Sequence, residues 1–337
     1  MNEIIEMTHG SGGNSTHRLL ERFFIKHFKD LGLQPYNDAA LVELDNSTTI
    51  AITTDGFVVN PLFFKGSNIG ELSITGTCND LAVMGAEPKW LTCGFILGTG
   101  TPFYILEKVV KAMSQAAIEQ KVQLVAGDTK VVEHHEKLPY ILITTSGIGI
   151  IRTSYPWHIN NIRPDDTLII SGTIGEHTLA VLNARNGWFK HSSISSDCAP
   201  LYPMLKNLHS QETVHWVRDV TRSGLAGVCN ELSDAIGLIV ELSEESIPIS
   251  EEVSGWCEVL GYDPLTLANE GKALLAVDSS AKIKILELLR RHPLGKDAAI
   301  IGELKTSQDK PMVILNTTIG GKRIIPPPSG DHFPRIC

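Results

Sequence analysis

The sequence has no cluster of Lys and Arg, and this absence argues against nucleic acid as a partner. Its 29 basic residues are scattered among 38 acidic ones, and the formal net charge is −9. A nucleic-acid-binding domain normally concentrates its positive charge on one face. A protein this acidic needs local cations to bind an anion such as a nucleotide, and Mg²⁺ is one way to supply them.

Long apolar stretches are missing as well. The two most apolar segments, residues 91–106 and 138–151, are interrupted by Gly, Thr or Pro. Both are shorter than the roughly 20 residues that a membrane-spanning helix needs. The first six residues are acidic and lack the basic start and apolar stretch of a signal peptide. We therefore expect a soluble, cytoplasmic protein that does not engage a membrane.

The six cysteines include no CxxC pair, so the common zinc and redox spacings are absent. Without an export signal, free thiols in a reducing compartment fit best. Cys337 is the last residue and follows a Pro-rich segment, 326–328, on a tail that could reach into a cleft. Arg335 would favour its thiolate. On this chemistry alone, an incidental terminal residue is the commoner explanation.

Length and pattern together predict two domains of mixed α/β (α+β) class. At roughly 100–200 residues per domain, 337 residues suggest two, and the second half alternates strands with helices. An irregular, Pro-containing segment near residues 152–166 marks the boundary. We expect a Gly-rich loop and helix over 1–36, domains over 37–155 and 156–325, and a tail over 326–337.

A turn signal at Asp45–Thr48 predicts a hairpin that brings two acidic residues together. With the loop centred on residues 46 and 47, Asp38 lies directly opposite Asp55, with Cβ atoms about 5 Å apart. Two carboxylates so placed repel each other, and a shared cation relieves the repulsion. Oxygen ligands favour Mg²⁺ over zinc. The alternative is that both residues simply end strands.

Other polar residues occupy positions that invite a ligand. Asn79 and Asp80 lie inside a predicted helix, where neither residue type is favoured, so they line either a ligand site or a solvent-facing stripe. Asp128 and Asp219 each follow an apolar stretch that ends where ligands gather in α/β proteins, although single Asp residues are more often turns or caps. Arg222 opens a predicted helix and has a planar group suited to phosphate.

The Gly-rich segment 10–13 could cradle phosphate oxygens with its backbone N–H groups. It is not a P-loop, because no Gly-Lys-Ser/Thr follows. By itself the string GSGG is equally typical of a flexible terminus.

Taken together, these motifs resemble the HypE family of hydrogenase maturation factors. That family lies within the superfamily of aminoimidazole ribonucleotide synthetase and selenophosphate synthetase. The Asp motifs mark the superfamily, and the terminal PRIC is what singles out HypE. The matching stretches run in family order: His9–Gly13 (HGSGG), Asp38–Ala40 (DAA), Thr53–Val59 (TTDGFVV), Asn79–Ala86 (NDLAVMGA), Ala126–Val132 (AGDTKVV), Asp219–Gly227 (DVTRSGLAG), Asn269–Lys272 (NEGK) and Pro334–Cys337 (PRIC).

The resemblance implies a two-domain PurM-like fold whose N-terminal domains pair into a homodimer around a shared β-barrel, with ATP in a cleft beside it. It implies Mg²⁺ ligands at Asp38, Asp55, Asp80, Asp128 and Asp219. It implies nucleotide contacts from Ser11, Gly12, Gly13, Asn79, Asp80, Asp128 and Arg222.

The resemblance also implies a reaction. Cys337 would receive a carbamoyl group from a HypF-type carbamoyltransferase, and ATP would activate the thiocarboxamide oxygen by phosphorylation. Loss of phosphate would leave a thiocyanate, whose cyanide passes to iron on the HypC–HypD complex for [NiFe]-hydrogenase. Glu270 and Lys130 match the residues assigned to proton removal.

Two departures and two alternatives accompany this expectation. Asn37 stands where many relatives have a second Asp, and Ser223 stands where Gly is usual. One alternative is an ATP-dependent kinase or synthetase of the same fold that acts on a free small molecule, with an incidental tail. The other is a non-enzymatic scaffold that offers Cys337 to a metal or a partner.

Overall fold

A computed structural model describes residues 4–10, 13–34, 37–45, 48–135, 139–306 and 310–328. The first half of the chain builds a five-stranded sheet in the order β1-β2-β7-β5-β6, beside a small hairpin of β3 and β4. Its neighbours pair antiparallel except β5 and β6, which are parallel. The strands are β1 Ala40–Asp45, β2 Thr48–Phe57, β3 Phe63–Phe64, β4 Ser67–Asn68, β5 Ala86–Gly98, β6 Gln123–Val132 and β7 Ile141–Ile151.

The second half builds a seven-stranded sheet in the order β14-β13-β10-β12-β8-β11-β9. All its neighbours are antiparallel except β10 and β13. Its strands are β8 Thr167–Ile170, β9 Val214–Asp219, β10 Ile239–Ser243, β11 Ala273–Val277, β12 Ala299–Lys305, β13 Val313–Asn316 and β14 Lys322–Ile325.

Several of the longer helices pack on these sheets. A π-helical stretch, Leu20–Ile25, joins the first two helices into one helical segment. Within the described ranges, no helix is long and apolar enough to cross a bilayer. The α-helices are α1 Gly13–Leu19, α2 Lys26–Phe28, α3 Ile69–Val83, α4 Phe103–Gln120, α5 Glu176–Asn186, α6 Tyr202–Leu205, α7 Gly224–Ile236, α8 Glu251–Leu260 and α9 Lys282–Arg290. Among them, α3 packs on the first sheet and α7 on the second.

Helix α3 belongs to the first half of the chain and packs against both halves. It begins at the Asn68 cap, whose side-chain oxygen accepts the N–H groups of Gly70 and Glu71 at 2.9 and 3.2 Å. It packs on β2, β5 and β7 on one side and contacts α6 and β9 on the other. Because it is buried almost throughout, Asn79 lies in the interior and Asp80 is half-buried, so the two do not form a solvent-facing stripe.

The β1–β2 pairing differs from the prediction by one residue. A bulge between Glu43 and Asp45 shifts the register, so that Ala40 pairs with Ile52. Extending that register places residue 54 opposite residue 38, because one extra residue in a strand moves every later partner by one position. The predicted direct opposition of Asp38 and Asp55 is therefore wrong. The turn at residues 46 and 47 lies outside the described residues.

The sheets remain open within the described part of a single chain, so the β-barrel stays a prediction about two subunits. The mixed α/β class itself is confirmed.

The packing of α3 on β2 depends on the lack of a side chain at Gly76. A Cβ there would lie 2.9 and 3.0 Å from two ring carbons of Phe57. We expect Gly76→Ala to destabilise the protein by about 1–3 kcal/mol, because overpacking outweighs the helix-propensity gain. Gly255→Ala is the matched control, since an added Cβ in α8 meets nothing within 4 Å. It should stabilise by about 0.5–1 kcal/mol in chemical denaturation.

Candidate active site

Four of the five predicted acidic residues share one site. Asp38 precedes β1, Asp55 lies on β2, Asp80 lies near the end of α3, and Asp219 ends β9. Burial raises the pKa of Asp80 most, and the three other carboxylates raise it further. Burial likewise raises the pKa of Asp219, and Asp38 adds to that increase. Such mutual effects arise between carboxylates that lie close together.

Thr53 ties two of these acids together. Its hydroxyl lies 2.8 Å from Asp80 Oδ2 and 2.9 Å from the carbonyl oxygen of Asp38. Because Thr53 lies on β2 while Asp80 lies on α3, this contact fixes the helix against the strand at the site itself.

A chain of ion pairs that the sequence analysis missed runs from Asp38 to the N-terminal helix. Arg218 Nε lies 3.3 Å from Asp38 Oδ1, and Arg218 Nη2 lies 2.8 Å from Glu231 Oε2. Glu231 Oε1 lies 3.2 Å from His17 Nε2. Burial raises the pKa of Asp38, and Arg218 is the largest opposing influence. Arg218 therefore supplies the main positive charge that faces the acids.

The donor set suits a hard cation, because the converging side chains are all carboxylates. Within the described residues, no three His, Cys, Asp or Glu side chains are arranged to hold a metal ion by themselves. Mg²⁺ is usually bound by one or two carboxylates, with water and substrate phosphates completing the octahedron. The site therefore fits magnesium that enters together with a phosphate group.

Asp128 and Lys130 do not join this site within one chain. They lie on the edge strand β6, with side chains 68% and 70% exposed, and pair with each other at 2.7 Å. Pairing runs from Gly56 through β7 and β5 to Asp128. Three strand spacings amount to about 14 Å. The prediction that Asp128 joins the other acids therefore fails for a single subunit, because two strands lie between β2 and β6.

Arg222 and Ser223 form the turn that leads from β9 into α7. Arg222 is exposed, and its charge lowers the pKa of both Asp38 and Asp219, so it lies near the acids. Ser223 has φ of 62°, in the left-handed region. This conformation costs a residue with a Cβ about 1–2 kcal/mol, whereas Gly adopts it without that cost. The departure from the usual Gly is thus accommodated with backbone strain.

Glu270 is buried beside the acids. Its side chain is 4% exposed. Burial raises its pKa well above the usual range, and Asp219 raises it further. A carboxylate in such surroundings is a stronger base once it is ionised.

The side chain of Asn79 forms its hydrogen bonds with backbone groups inside the protein. Its amide nitrogen donates to the carbonyl oxygens of Ala199 and Glu270, both at 3.1 Å, and its oxygen accepts the N–H of Leu201 at 2.8 Å. An amide nitrogen has two protons to donate, and both are used. The predicted nucleotide contact by Asn79 is therefore not supported by this geometry.

The end of the glycine loop approaches the start of the tail. A Cβ at Gly13, where φ is 72°, would overlap the carbonyl oxygen of Pro328. A cavity of about 420 Å³ lies beside this contact, and its lining includes His17, Arg218 and Glu231. Ser11, Gly12 and Cys337 lie outside the described residues.

Removing Arg218 should destabilise the protein strongly. We expect Arg218→Met to cost about 3 kcal/mol in chemical denaturation, because it leaves buried carboxylates without a counter-charge. The comparison variant is Lys305→Met, since Lys305 pairs with Glu303 at 2.8 Å on the surface. That change should cost much less, because a solvent-exposed ion pair contributes little to stability. Equal costs would show that the Arg218 pairs contribute no more than surface contacts.

The His17–Glu231 contact predicts a pH dependence of stability. The hydrogen bond to Glu231 raises the pKa of His17 in the folded state. A raised pKa stabilises the fold at pH values below the unfolded pKa of about 6.5, and the effect disappears as pH rises through the folded value. The stability difference between the wild type and His17→Gln should therefore be larger at pH 5.5 than at pH 8. A difference that grows with pH would contradict this assignment.

Comparison with known proteins identifies this architecture. The chain matches the models for AIR synthase related proteins, the N-terminal domain over residues 36–151 and the C-terminal domain over residues 163–314. It is 40% identical over 337 residues to the carbamoyl dehydratase HypE of Escherichia coli K12, covering 99% of both chains.

Two solved structures agree with this match. The crystal structure of a HypE–HypF complex gives a TM-score of 0.85 at 42% identity, covering 92% of this chain and 99% of that one. HypE in complex with ATP gives a TM-score of 0.82 at 37% identity, covering 99% and 100%. The fold is thus the two-domain, PurM-like fold of AIR synthase related proteins. Within that class, the chain belongs to the HypE family of carbamoyl dehydratases, which act in hydrogenase maturation.

Proposed function

We propose that this chain uses ATP to dehydrate a carbamoyl group carried on the sulfur of its own Cys337. The substrate is the S-carboxamide R–S–C(=O)–NH₂, and the products are the thiocyanate R–S–C≡N, ADP and phosphate. The convergence of Asp38, Asp55, Asp80 and Asp219 beside Glu270 is the observation that carries the proposal.

The reaction balances through a phosphorylated oxygen. The carboxamide oxygen attacks the γ-phosphorus of ATP, and ADP leaves. The C–O bond then breaks, so that the oxygen departs as phosphate, while nitrogen loses both protons and a C≡N bond forms. Phosphorylation is needed because an amide oxygen is otherwise a very poor leaving group.

The chain's residues divide this work. Asp38, Asp55, Asp80 and Asp219 would hold magnesium, which neutralises charge on the phosphates during transfer. Arg222 and the N-terminus of α7 would bind phosphate oxygens. Ser11, Gly12 and Gly13 would cover the nucleotide. Glu270 would accept a proton from the substrate nitrogen.

A homodimer would explain the position of β6. All ten residues of this edge strand are exposed in the single chain, including Val125 and Val131 at 56% and 66%. An edge strand with exposed apolar side chains invites pairing of its outer edge with another chain. In a homodimer, Asp128 and Lys130 would lie at the subunit interface and could serve the site as ligand and base.

We propose that the two domains of the chain span residues 37–155 and 156–325.

The partners follow from the substrate. A HypF-type carbamoyltransferase would load Cys337, and the HypE–HypF complex of a relative supports that pairing. The cyanide would pass to iron on a HypC–HypD complex, in the cytoplasm.

Intact mass spectrometry tests the proposal. The chain is incubated with the carbamoyltransferase and its carbamoyl donor, and then with ATP and Mg²⁺. We expect a carbamoyl adduct on Cys337 that loses the mass of one water only when ATP is added. An adduct that persists with ATP, or that forms on another residue, would contradict the proposal.

A further inference from the structure

The backbone around Glu270 is held from several sides by groups that the reaction itself does not use. We propose that Asp197 is a positioning residue, which clamps the peptide of Glu270 so that its carboxylate points at the carbamoyl nitrogen. This inference rests on the proposed function of Glu270 as the base. Beyond that function, it assigns to Asp197 the role of fixing the position of the Glu270 side chain.

Asp197 uses both of its oxygens on the segment that carries the base. Oδ1 accepts the N–H of Glu270 at 3.0 Å, and Oδ2 accepts the N–H of Gly271 at 3.3 Å. Oδ2 also lies 2.8 Å from Lys272 Nζ. The side chains of Asp197 and Lys272 are only 5% and 10% exposed. Although burial opposes ionisation, Lys272 lowers the pKa of Asp197, so the Asp197 carboxylate is ionised.

The opposite side of the same peptide is tied to the acids. Asn79 donates to the carbonyl oxygen of Glu270 at 3.1 Å, and Asn79 is the chain neighbour of Asp80. Asn269 donates to the carbonyl oxygen of Val220 at 3.1 Å, and Val220 is the neighbour of Asp219. The base is therefore fixed relative to two of the acids through rigid backbone contacts.

The backbone on either side of Asp197 is itself held in place. Ser196 Oγ accepts the N–H of Cys198 at 3.1 Å and lies 2.8 Å from His177 Nδ1, which holds the segment on either side of Asp197. A Cβ at Gly271 would overlap the carbonyl oxygen of Asp197. The two segments thus lie against each other, with a glycine where they meet.

These contacts favour positioning over a purely structural ion pair. A buried ion pair can often be replaced by apolar residues without loss of stability, so the charge pair alone gives little reason for Asp197. What an apolar residue cannot provide is an acceptor for the two N–H groups beside the base. Catalytic groups need placement within about 0.5 Å, and such precision comes from supporting hydrogen bonds.

Matched variants separate the acceptor from the charge. Asp197→Asn with Lys272→Met removes both charges but keeps one amide oxygen, which can still accept one of the two N–H groups. Asp197→Ala with Lys272→Met removes both charges and the acceptor. Glu252→Gln is the control in the same region, because Glu252 accepts from Ser192 Oγ at 2.7 Å, on the same irregular segment. All variants are carbamoylated by the partner enzyme, and thiocyanate formation, ATP affinity and thermal unfolding are measured.

We expect the Asn/Met pair to dehydrate within about tenfold of the wild type and the Ala/Met pair to be about 100-fold slower, because a small misplacement of a reacting group has that effect. ATP affinity should stay within about threefold in both pairs, since the loss is confined to the chemical step. Glu252→Gln should match the wild type. Asn/Met and Ala/Met pairs of equal rate would overturn the proposal, as would a loss that follows unfolding or ATP affinity.

The failure of this inference can be told from failure of the proposed function. If the wild type forms no thiocyanate, the function is wrong. If the wild type is active and Glu270→Gln is inactive while the Ala/Met pair remains fast, only the positioning role of Asp197 is wrong.

Discussion

Replacing Cys337 with Ala is expected to abolish thiocyanate formation completely, because the substrate is attached to that sulfur. ATP affinity should stay within about threefold of the wild-type value, because the acids that would bind the nucleotide are unchanged. The measurements are intact mass after carbamoylation and equilibrium binding of a non-hydrolysable ATP analogue.

Cys257→Ala provides the control for that experiment. Cys257 is buried in an apolar cluster on α8 and has no role in the proposed reaction. Its loss should reduce stability slightly and leave the carbamoyl adduct and its dehydration intact. If Cys337→Ala still formed product from a free carbamoyl compound, a synthetase acting on a small molecule would replace the present account.

Glu270→Gln is expected to slow dehydration by at least about 100-fold, since loss of a general base commonly has an effect of that size. Glutamine keeps the size of the side chain but cannot accept a proton. Burial and Asp219 raise the pKa of Glu270, and the base form exists only above that pKa. The wild-type rate should therefore rise with pH as Glu270 ionises, and the variant should lose that rise.

Single-turnover measurements on the carbamoylated chain give the clearest reading for Glu270. They begin after loading, so a slow partner enzyme does not affect the rate. A Glu270→Gln chain that dehydrates at the wild-type rate would remove Glu270 from the mechanism.

Sequence pattern predicted elements best where one periodic face decides the structure. Apolar residues at helical spacing predict a helix over about residues 103–120, and the sequence also predicts a helix over 224–236. These bounds agree with α4, Phe103–Gln120, and α7, Gly224–Ile236. Strand β5 was not predicted, because its sequence contains Pro88 and Gly94 and its conformation is set by pairing with β6 and β7. Helix α5 was missed for a related reason: its residues are largely buried, so no polar face marks its period.

The acids of the site could be anticipated because each stands at a strand end or in an unfavourable helical position. Their counter-charges could not. Arg218 meets Asp38 across 180 positions of sequence, and Glu231 reaches His17 across 214. Asp197 lies in an irregular segment, where no periodicity points to it. Such pairings are decided by tertiary packing, which a single sequence does not encode in any local pattern.

The central claim is that the terminal sulfur delivers its carboxamide oxygen to the γ-phosphate of a nucleotide held by the converging acids. Oxygen-18 tests this directly, with the label placed in the carbamoyl oxygen on Cys337 before ATP is added. We predict that each thiocyanate formed releases one phosphate that contains one labelled oxygen. Unlabelled phosphate, released at the same rate as thiocyanate, would show that water attacks ATP and would contradict the account.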